Sequence, residues 1–199
     1  QFLLTDPYFT YDGVSRTVST TISKTDVSGT STSTYLSDTF AVGIAYDMPI
    51  TETSTFGIGY DISLTEFTQT IASPKVVTHH LADHGTNSLG VKLMANYVTD
   101  TRNRTVFAET GVLTQLNSNI FLAASGASHA SVTFRTESNK NYILKTFGFD
   151  WPTVFQLKTT VGAGFGLNGA TSLPFYNKFF AGGNGTVRGY KGSSLGPLT

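Results

Sequence analysis

Phe40-Ala41-Val42-Gly43-Ile44-Ala45-Tyr46-Asp47-Met48-Pro49-Ile50 alternates without a fault: every even position is large and apolar or aromatic, and every odd position is small, polar or proline. Successive side chains on a strand point to opposite faces, so this pattern gives one greasy face and one small, polar face. The next segment repeats it, with Phe56, Ile58, Tyr60, Ile62 and Leu64 set against Gly57, Gly59, Asp61 and Ser63. Leu89, Val91, Leu93, Ala95 and Tyr97 alternate with Gly90, Lys92, Met94 and Asn96. Phe155, Leu157, Val161 and Phe165 alternate with Gln156, Lys158, Gly162 and Gly164, with Thr159 interrupting the apolar face.

The composition agrees. In 199 residues there are 51 Ser and Thr, 20 Gly and 13% aromatics, a blend that suits sheets and disfavours helices. Charged residues make up 13%, about half the share of an ordinary soluble domain. Lys+Arg and Asp+Glu both total 13, so no basic surface is offered to nucleic acid. Cysteine is absent, which excludes disulfide scaffolds, thiolate metal sites and cysteine nucleophiles.

A soluble antiparallel sheet can alternate in the same way. Strand length separates the two cases. These segments run ten residues or more, enough to cross a bilayer when tilted, whereas soluble strands average about five or six. Strands are expected at roughly 14–25, 36–48, 55–66, 88–99, 112–124, 139–150 and 154–166, plus the end of one at 1–6, with 125–138 open to either neighbour. Residues 49–54 and 151–153 read as tight turns, and 26–35, 67–87 and 167 onward as longer loops. Short turns on one rim and long loops on the other is how outer-membrane barrels are strung. Tyr8, Phe9, Tyr11, Phe67, Tyr97, Phe107, Phe147, Phe149 and Trp151 fit interfacial girdles. The fold class is therefore all-β, an antiparallel transmembrane β-barrel of which this chain carries about seven to eight strands. No basic leader precedes Phe2-Leu3-Leu4, and the chain stops in mid-loop composition at Leu198-Thr199; a piece cut at both ends is expected.

Candidate chemistry is sparse. His80 and His84 stand at i, i+4 beside His79 and Asp83, a spacing able to share a metal on a helix, but a solvated loop is the expectation and no metal is assigned. Gly192-Ser193-Ser194-Leu195-Gly196 matches the nucleophile-elbow pattern, yet a glycine-rich loop precedes it and Pro197 follows, where a strand and a helix are required. The carboxylates are scattered. No catalytic residue, cofactor or enzymatic activity is expected.

The informative region is Phe175-Tyr176-Asn177-Lys178-Phe179-Phe180-Ala181-Gly182-Gly183-Asn184-Gly185-Thr186-Val187-Arg188-Gly189-Tyr190, followed by Leu195-Gly196-Pro197. Arg188 stands among glycines with no acid nearby in sequence, so if buried it needs carboxylates from elsewhere. Val187-Arg188-Gly189-Tyr190 resembles the V-R-G-F/Y signature of the BamA superfamily of outer-membrane insertases, here with Gly182 and Gly183 before it. A second match lies at Asp6-Pro7-Tyr8-Phe9-Thr10 with Asp12-Gly13-Val14-Ser15, similar to the family's periplasmic turn. A third, weaker one runs from Asp100-Thr101-Arg102-Asn103-Arg104 to Gly111, without the family's proline. The three occur in family order across nearly the whole chain.

The resemblance implies a sixteen-stranded barrel in the Gram-negative outer membrane, preceded by POTRA domains that this chain lacks. It implies that residues 167–199 form an extracellular loop folded into the lumen, where Arg188 pairs with acidic residues outside this chain. It further implies insertion of unfolded outer-membrane proteins into the lipid bilayer, with accessory lipoproteins as partners. A TamA-like assembly factor or a two-partner secretion transporter shares the loop, while the Asp6–Ser15 turn favours the insertase. A small adhesin or porin barrel is the alternative from another class.

Overall fold

The computed structural model describes residues 1–26, 35–70, 73–146, 149–170 and 172–196. Among these residues eight strands form one antiparallel sheet in simple sequence order: β1 (Phe2–Asp6), β2 (Ser15–Asp26), β3 (Tyr35–Thr51), β4 (Ser54–Gln69), β5 (Asn87–Asp100), β6 (Gly111–Ser125), β7 (His129–Thr146) and β8 (Phe149–Gly166). Each strand pairs with its chain neighbours, and β1 and β8 are the two edges of an open sheet. From β2 onward the strands are 12 to 18 residues long, as a tilted crossing of a bilayer requires. Among the described residues no helix is long and apolar enough to cross a membrane.

The register turns the alternation into two surfaces. One row runs Val42, Ile62, Val91, Leu122, each opposite the next. The adjacent row runs Gly43, Asp61, Lys92, Phe121, His129, Gly166. A one-residue step thus exchanges hydrocarbon for glycine, ion pairs and hydrogen-bonding side chains. Phe40, Ile58, Ile62, Leu89, Leu122, Phe134 and Leu157 are all exposed. This face is too large and continuous for a water-soluble monomer and suits lipid. On the other face, Lys92 pairs with Asp61 at 3.5 Å, and threonines meet across strands at Thr39–Thr65.

Four expectations need correction. The open span 125–138 belongs mostly to β7, which starts at His129, ten residues before the expected 139, and ends at Thr146. Trp151-Pro152-Thr153 is no turn: these residues sit inside β8, opposite Leu144, Ile143 and Tyr142. The proline misleads because it breaks strands that have two neighbours, whereas β7 and β8 at this level pair with each other alone. Pro49 likewise does not end β3, which runs to Thr51 past an irregularity between Pro49 and Thr51. Finally, residues 67–87 are not one loop. β4 continues to Gln69 and a helix, α1 (Lys75–His84), follows. Residues 27–34, inside the expected loop 26–35, and Phe147 lie outside the described residues.

Strand direction assigns the connections to rims. Residues 7–14, 52–53 and 101–110 lie on one rim. Residues 70, 73–86, 126–128, 167–170 and 172–196 lie on the other, and here the buried apolar cluster forms from Phe67, Val77, Leu81 and Phe175.

Candidate functional site

β8 presents Gly162, Gly164 and Gly166 at every second position, so all three fall on the polar face. The chain after β8 uses the space they leave. Phe179 lies on Gly162, Leu173 on Gly164 and Ala170 on Gly166. A Cβ at Gly162 would stand 2.8 Å from the Phe179 ring, and one at Gly164 2.5 Å from Leu173. Both are closer than packed carbon atoms tolerate. The glycines therefore form a track on which the following loop is laid back over the polar face.

An aromatic knot fixes the loop's first turn. A short 3-10 turn at Phe175–Asn177 sets Phe175 edge-on to Tyr35 of β3 at 4.9 Å and to Phe67 of β4 at 5.4 Å. Tyr176 stacks on Phe67 at 4.8 Å. Edge-to-face and offset rings are the favoured aromatic geometries. Val77 and Leu81, one turn apart on α1, are buried in the same cluster. Asn177 bonds the His129 ring of β7, and His129 stacks on Phe121 of β6. Five elements of the wall and cap thus meet at one turn. Phe67, expected in an interfacial girdle, is instead buried in this knot, because its odd position places it on the polar face with Ser63 and Thr65.

The three histidines of the expected loop are helical. His79 pairs with Asp83 at 2.8 Å in the open. His80 and His84 stack with ring centroids 4.6 Å apart, and His80 meets Phe175 edge-on at 5.2 Å. Burial first, and then the neighbouring His84, lower the His80 pKa from 6.5 to about 4, since a second charge in a poorly hydrated place is costly. Burial likewise raises the Tyr176 hydroxyl above its usual pKa. Among the described residues no group of three or more His, Cys, Asp or Glu side chains is disposed to hold a metal. Beneath the turn, a cavity of about 470 Å³ is lined by Ser37, Thr39, Ser63, Lys92, Asn119 and Ser131 among others.

Beyond Phe180 the loop narrows into a small ladder. Ala181 and Leu195 exchange backbone hydrogen bonds at 2.6 and 2.9 Å, and the Gly183 N–H donates to the Tyr190 carbonyl at 3.0 Å. The Gly182 N–H donates to the Thr186 hydroxyl, which donates in turn to the Gly182 carbonyl. Gly182 at φ 114° and Gly183 at φ 91° take left-handed conformations that favour glycine. Val187, Arg188, Gly189 and Tyr190 form the exposed tip. Among the described residues no carboxylate pairs with Arg188. Ser193 and Ser194 follow in the same ladder, with the Ser194 N–H donating to the Lys191 carbonyl.

The Asp6–Ser15 segment makes the β1–β2 turn. The Phe9 N–H donates to the Val14 carbonyl, and Gly13 to that of Thr10. The Tyr8 N–H reaches the Asp6 carboxylate, and Arg16 sits over the Phe9 ring at 4.1 Å with Asp6 at 3.9 Å. Phe9 also meets Tyr46 of β3 at 5.8 Å, whereas Pro7, Tyr8 and Asp12 are exposed.

The Asp100–Gly111 segment is closed by polar contacts in place of the missing proline. Asn103 accepts from the backbone of Glu109 and Thr110, and Arg104 bonds the Phe107 carbonyl and Glu109. Arg102 makes a bidentate pair with Asp100, at 2.9 and 2.7 Å. That bond raises the Arg102 pKa further. Its far nitrogen reaches Glu137 of β7 at 3.5 Å.

No motif in the sequence marks Glu137. It is 5% exposed and is ringed by Arg102, by Arg135 at 3.9 Å and by Lys158 at 3.4 Å. Gln156 and Asn139 donate to it as well. The sequence signal is faint: an acid at an inward position of a strand, with its cations spread over three elements.

The whole chain, residues 1–199, matches the model of the Omp85 superfamily domain. Among solved structures, it superposes on BamA from Haemophilus ducreyi lacking POTRA domains 1-3, with a TM-score of 0.82 at 21% identity. The match covers 98% of this chain and 38% of that one, so the chain spans little more than a third of the length of that structure. The eight-stranded open sheet, apolar on one face and lined on the other, is thus part of a barrel wall, and this chain belongs to the Omp85 superfamily.

Proposed function

We propose that the protein folds and inserts β-barrel proteins into the Gram-negative outer membrane, this chain supplying half of a barrel wall and the loop that folds back into its lumen. The observation that carries the reading is the glycine track of β8, which seats Leu173 and Phe179 on the polar face. A loop held there leads into the Arg188 tip, as the resemblance implies. The Asp6–Ser15 turn supports the insertase within the superfamily.

The mechanism is physical and non-enzymatic. The outward apolar side chains hold the wall in lipid. The knot around Phe175 and the ladder at 181–195 hold the Arg188 tip as a unit, so that carboxylates elsewhere in the full barrel can take its charge. At a weakly closed seam, unpaired strand edges are offered to a client. The client's own hydrogen bonding and lipid burial then drive insertion without ATP or a cofactor. Unfolded outer-membrane proteins are the clients, and accessory lipoproteins are the partners.

The test is depletion of the full-length protein together with reconstitution into proteoliposomes. Loss of several heat-modifiable outer-membrane barrels on depletion, and insertion of a urea-unfolded barrel by the proteoliposomes, are the expected results. Intact barrel proteins combined with a block in export of one large secreted polypeptide would place the protein with two-partner transporters instead.

A further inference from the structure

β6 pairs with β7 only as far as Gly111 opposite Asn139, whereas β7 and β8 run on together for seven more residue pairs, from Lys140–Phe155 to Thr146–Phe149. The hairpin therefore overhangs the turn rim by roughly 23 Å along the strand at about 3.3 Å per residue. Its root is clamped by Glu137, Asn139 and Gln156. Beyond the clamp, the β7 edge makes no backbone hydrogen bond to residues 101–110 among the described residues.

The overhang differs from the rest of the belt in carrying apolar side chains on both of its faces. Along β7 the outward positions read Ala130, Val132 and Phe134, then Thr136, Ser138 and Lys140, then Tyr142 and Leu144. On β7 a polar band separates the second apolar group from the first, whereas on β8 Phe155 and Leu157 carry the apolar surface across that level. Tyr142, Leu144, Trp151 and Phe155 share that outward face and are 44 to 61% exposed. Ile143 and Val154 lie on the opposite face, Ile143 at 65% exposure. Apolar groups on both faces flank a row of unpaired N–H and C=O groups. Lysines blunt such an edge against an uncharged strand but attract one that carries an acid. Lys140 and Lys145 lie along it, and Lys140 rests over the Tyr142 ring at 5.3 Å instead of on a carboxylate.

We propose that the free edge of β7, residues 140–146, takes an extended amphipathic segment of unfolded polypeptide as an added strand. Strand addition satisfies the backbone row, the segment's apolar side chains pack beside Tyr142 and Leu144 or beside Ile143, and an acidic residue in it meets Lys140 or Lys145. A lipid surface satisfies neither the backbone groups nor Ile143 and Val154. The proposal deepens the insertase reading, on which it rests, by naming a place where a client is held before it enters the membrane.

The probe is a short fluorescein-labelled peptide alternating Val or Tyr with Thr and ending in Asp, titrated against the full-length protein in nanodiscs. A second copy is N-methylated at alternate residues along one edge. Binding of the first, at least tenfold weaker binding of the second, and slowed amide exchange at 140–146 only when peptide is present are expected. Replacing residues 141–154 by Asn-Gly should abolish binding while leaving the heat-modifiable gel shift of the barrel intact. Equal binding of both peptides, binding retained without the overhang, no binding at all, or protection by the nanodisc bilayer alone each overturn the proposal. Insertion of an unfolded barrel is measured in the same preparation. Insertion without peptide binding ends this inference and leaves the function standing, whereas no insertion ends the function itself.

Discussion

At the scale of single residues, the site depends on what is missing as much as on what is present. Gly164 owes its place to Leu173, which occupies the volume a side chain would need. Gly164→Val should cost about 1–3 kcal/mol through overpacking. The cost falls on the docked loop, because β8 itself accepts valine readily. Limited proteolysis should then cut within residues 172–180 while the strands stay protected; an unchanged digest would remove the glycine track from the account. Arg188 is the complementary case, a charge whose partners are carried by the rest of the barrel on the proposed reading. Arg188→Ala in the full-length protein should cost about 3–5 kcal/mol, as breaking a buried pair does. It should show as lower protein level and quicker cleavage of residues 182–190, and wild-type resistance there would contradict the brace. Arg188 is singled out by the resemblance of Val187–Tyr190 to a family signature, since the glycines around it suit an ordinary surface loop equally well. Glu137 is not, because of its cations only Arg135 is near it in sequence, and the fold alone brings Arg102 and Lys158 to it.

At the scale of elements, period-two alternation located the strands well wherever one face is uniformly apolar. It failed at β7, where Thr136 and Ser138 interrupt the outward face, and at Pro152, which an unshared stretch of hairpin tolerates. It also missed α1, whose ten residues bury only Val77 and Leu81 and whose partner Phe175 lies about a hundred residues away in sequence. A helix held by two apolar contacts and a stacked histidine pair should be pH-sensitive. Above pH 6.5 the His80 ring is neutral whether α1 is docked or free, and docking has its full strength. As pH falls from 6.5 toward 4, only the undocked ring binds a proton, so docking weakens through that window and levels off below it. Protease cleavage in residues 73–86 should therefore rise between pH 7.5 and pH 5, and His80→Phe should flatten the response. The sheet's two faces separate by substitution as well. Ile58→Lys, on the apolar face, should cost about 2–4 kcal/mol if it sits near the bilayer midplane. Ser63→Lys faces the water-filled side and should be nearly neutral. Ser63 is a better control than Gly43, whose Cβ would lie 2.7 Å from that of Asp61. Equal losses in urea unfolding from lipid vesicles would rule out a lipid-facing surface.

At the scale of the whole molecule, the controlling fact is that the sheet is open. Every internal strand has both neighbours, so its backbone groups are satisfied within the sheet except where β2 runs past β1 and β7 runs past β6, but β1 and β8 each have one neighbour along their whole length. In hydrocarbon an unpaired N–H or C=O costs several kcal/mol, which is why spanning sheets close into barrels. β8 has 18 residues, about half of whose backbone groups point away from β7, so the penalty far exceeds the roughly 5–15 kcal/mol by which native proteins are stable. The loop cap does not offset this, since it lies on the polar face and, among the described residues, makes no ladder along the β8 edge. The 199-residue chain, refolded alone into detergent or lipid, should therefore fail to give a monomer with heat-modifiable migration. It should instead associate edge to edge or aggregate, with the extent rising with protein concentration. Supplying the remaining barrel strands as a second polypeptide should restore a discrete folded band, because closure satisfies both edges together. A concentration-independent, heat-modifiable monomer from residues 1–199 alone would mean that β1 and β8 find each other, and that the wall is a small closed barrel in its own right.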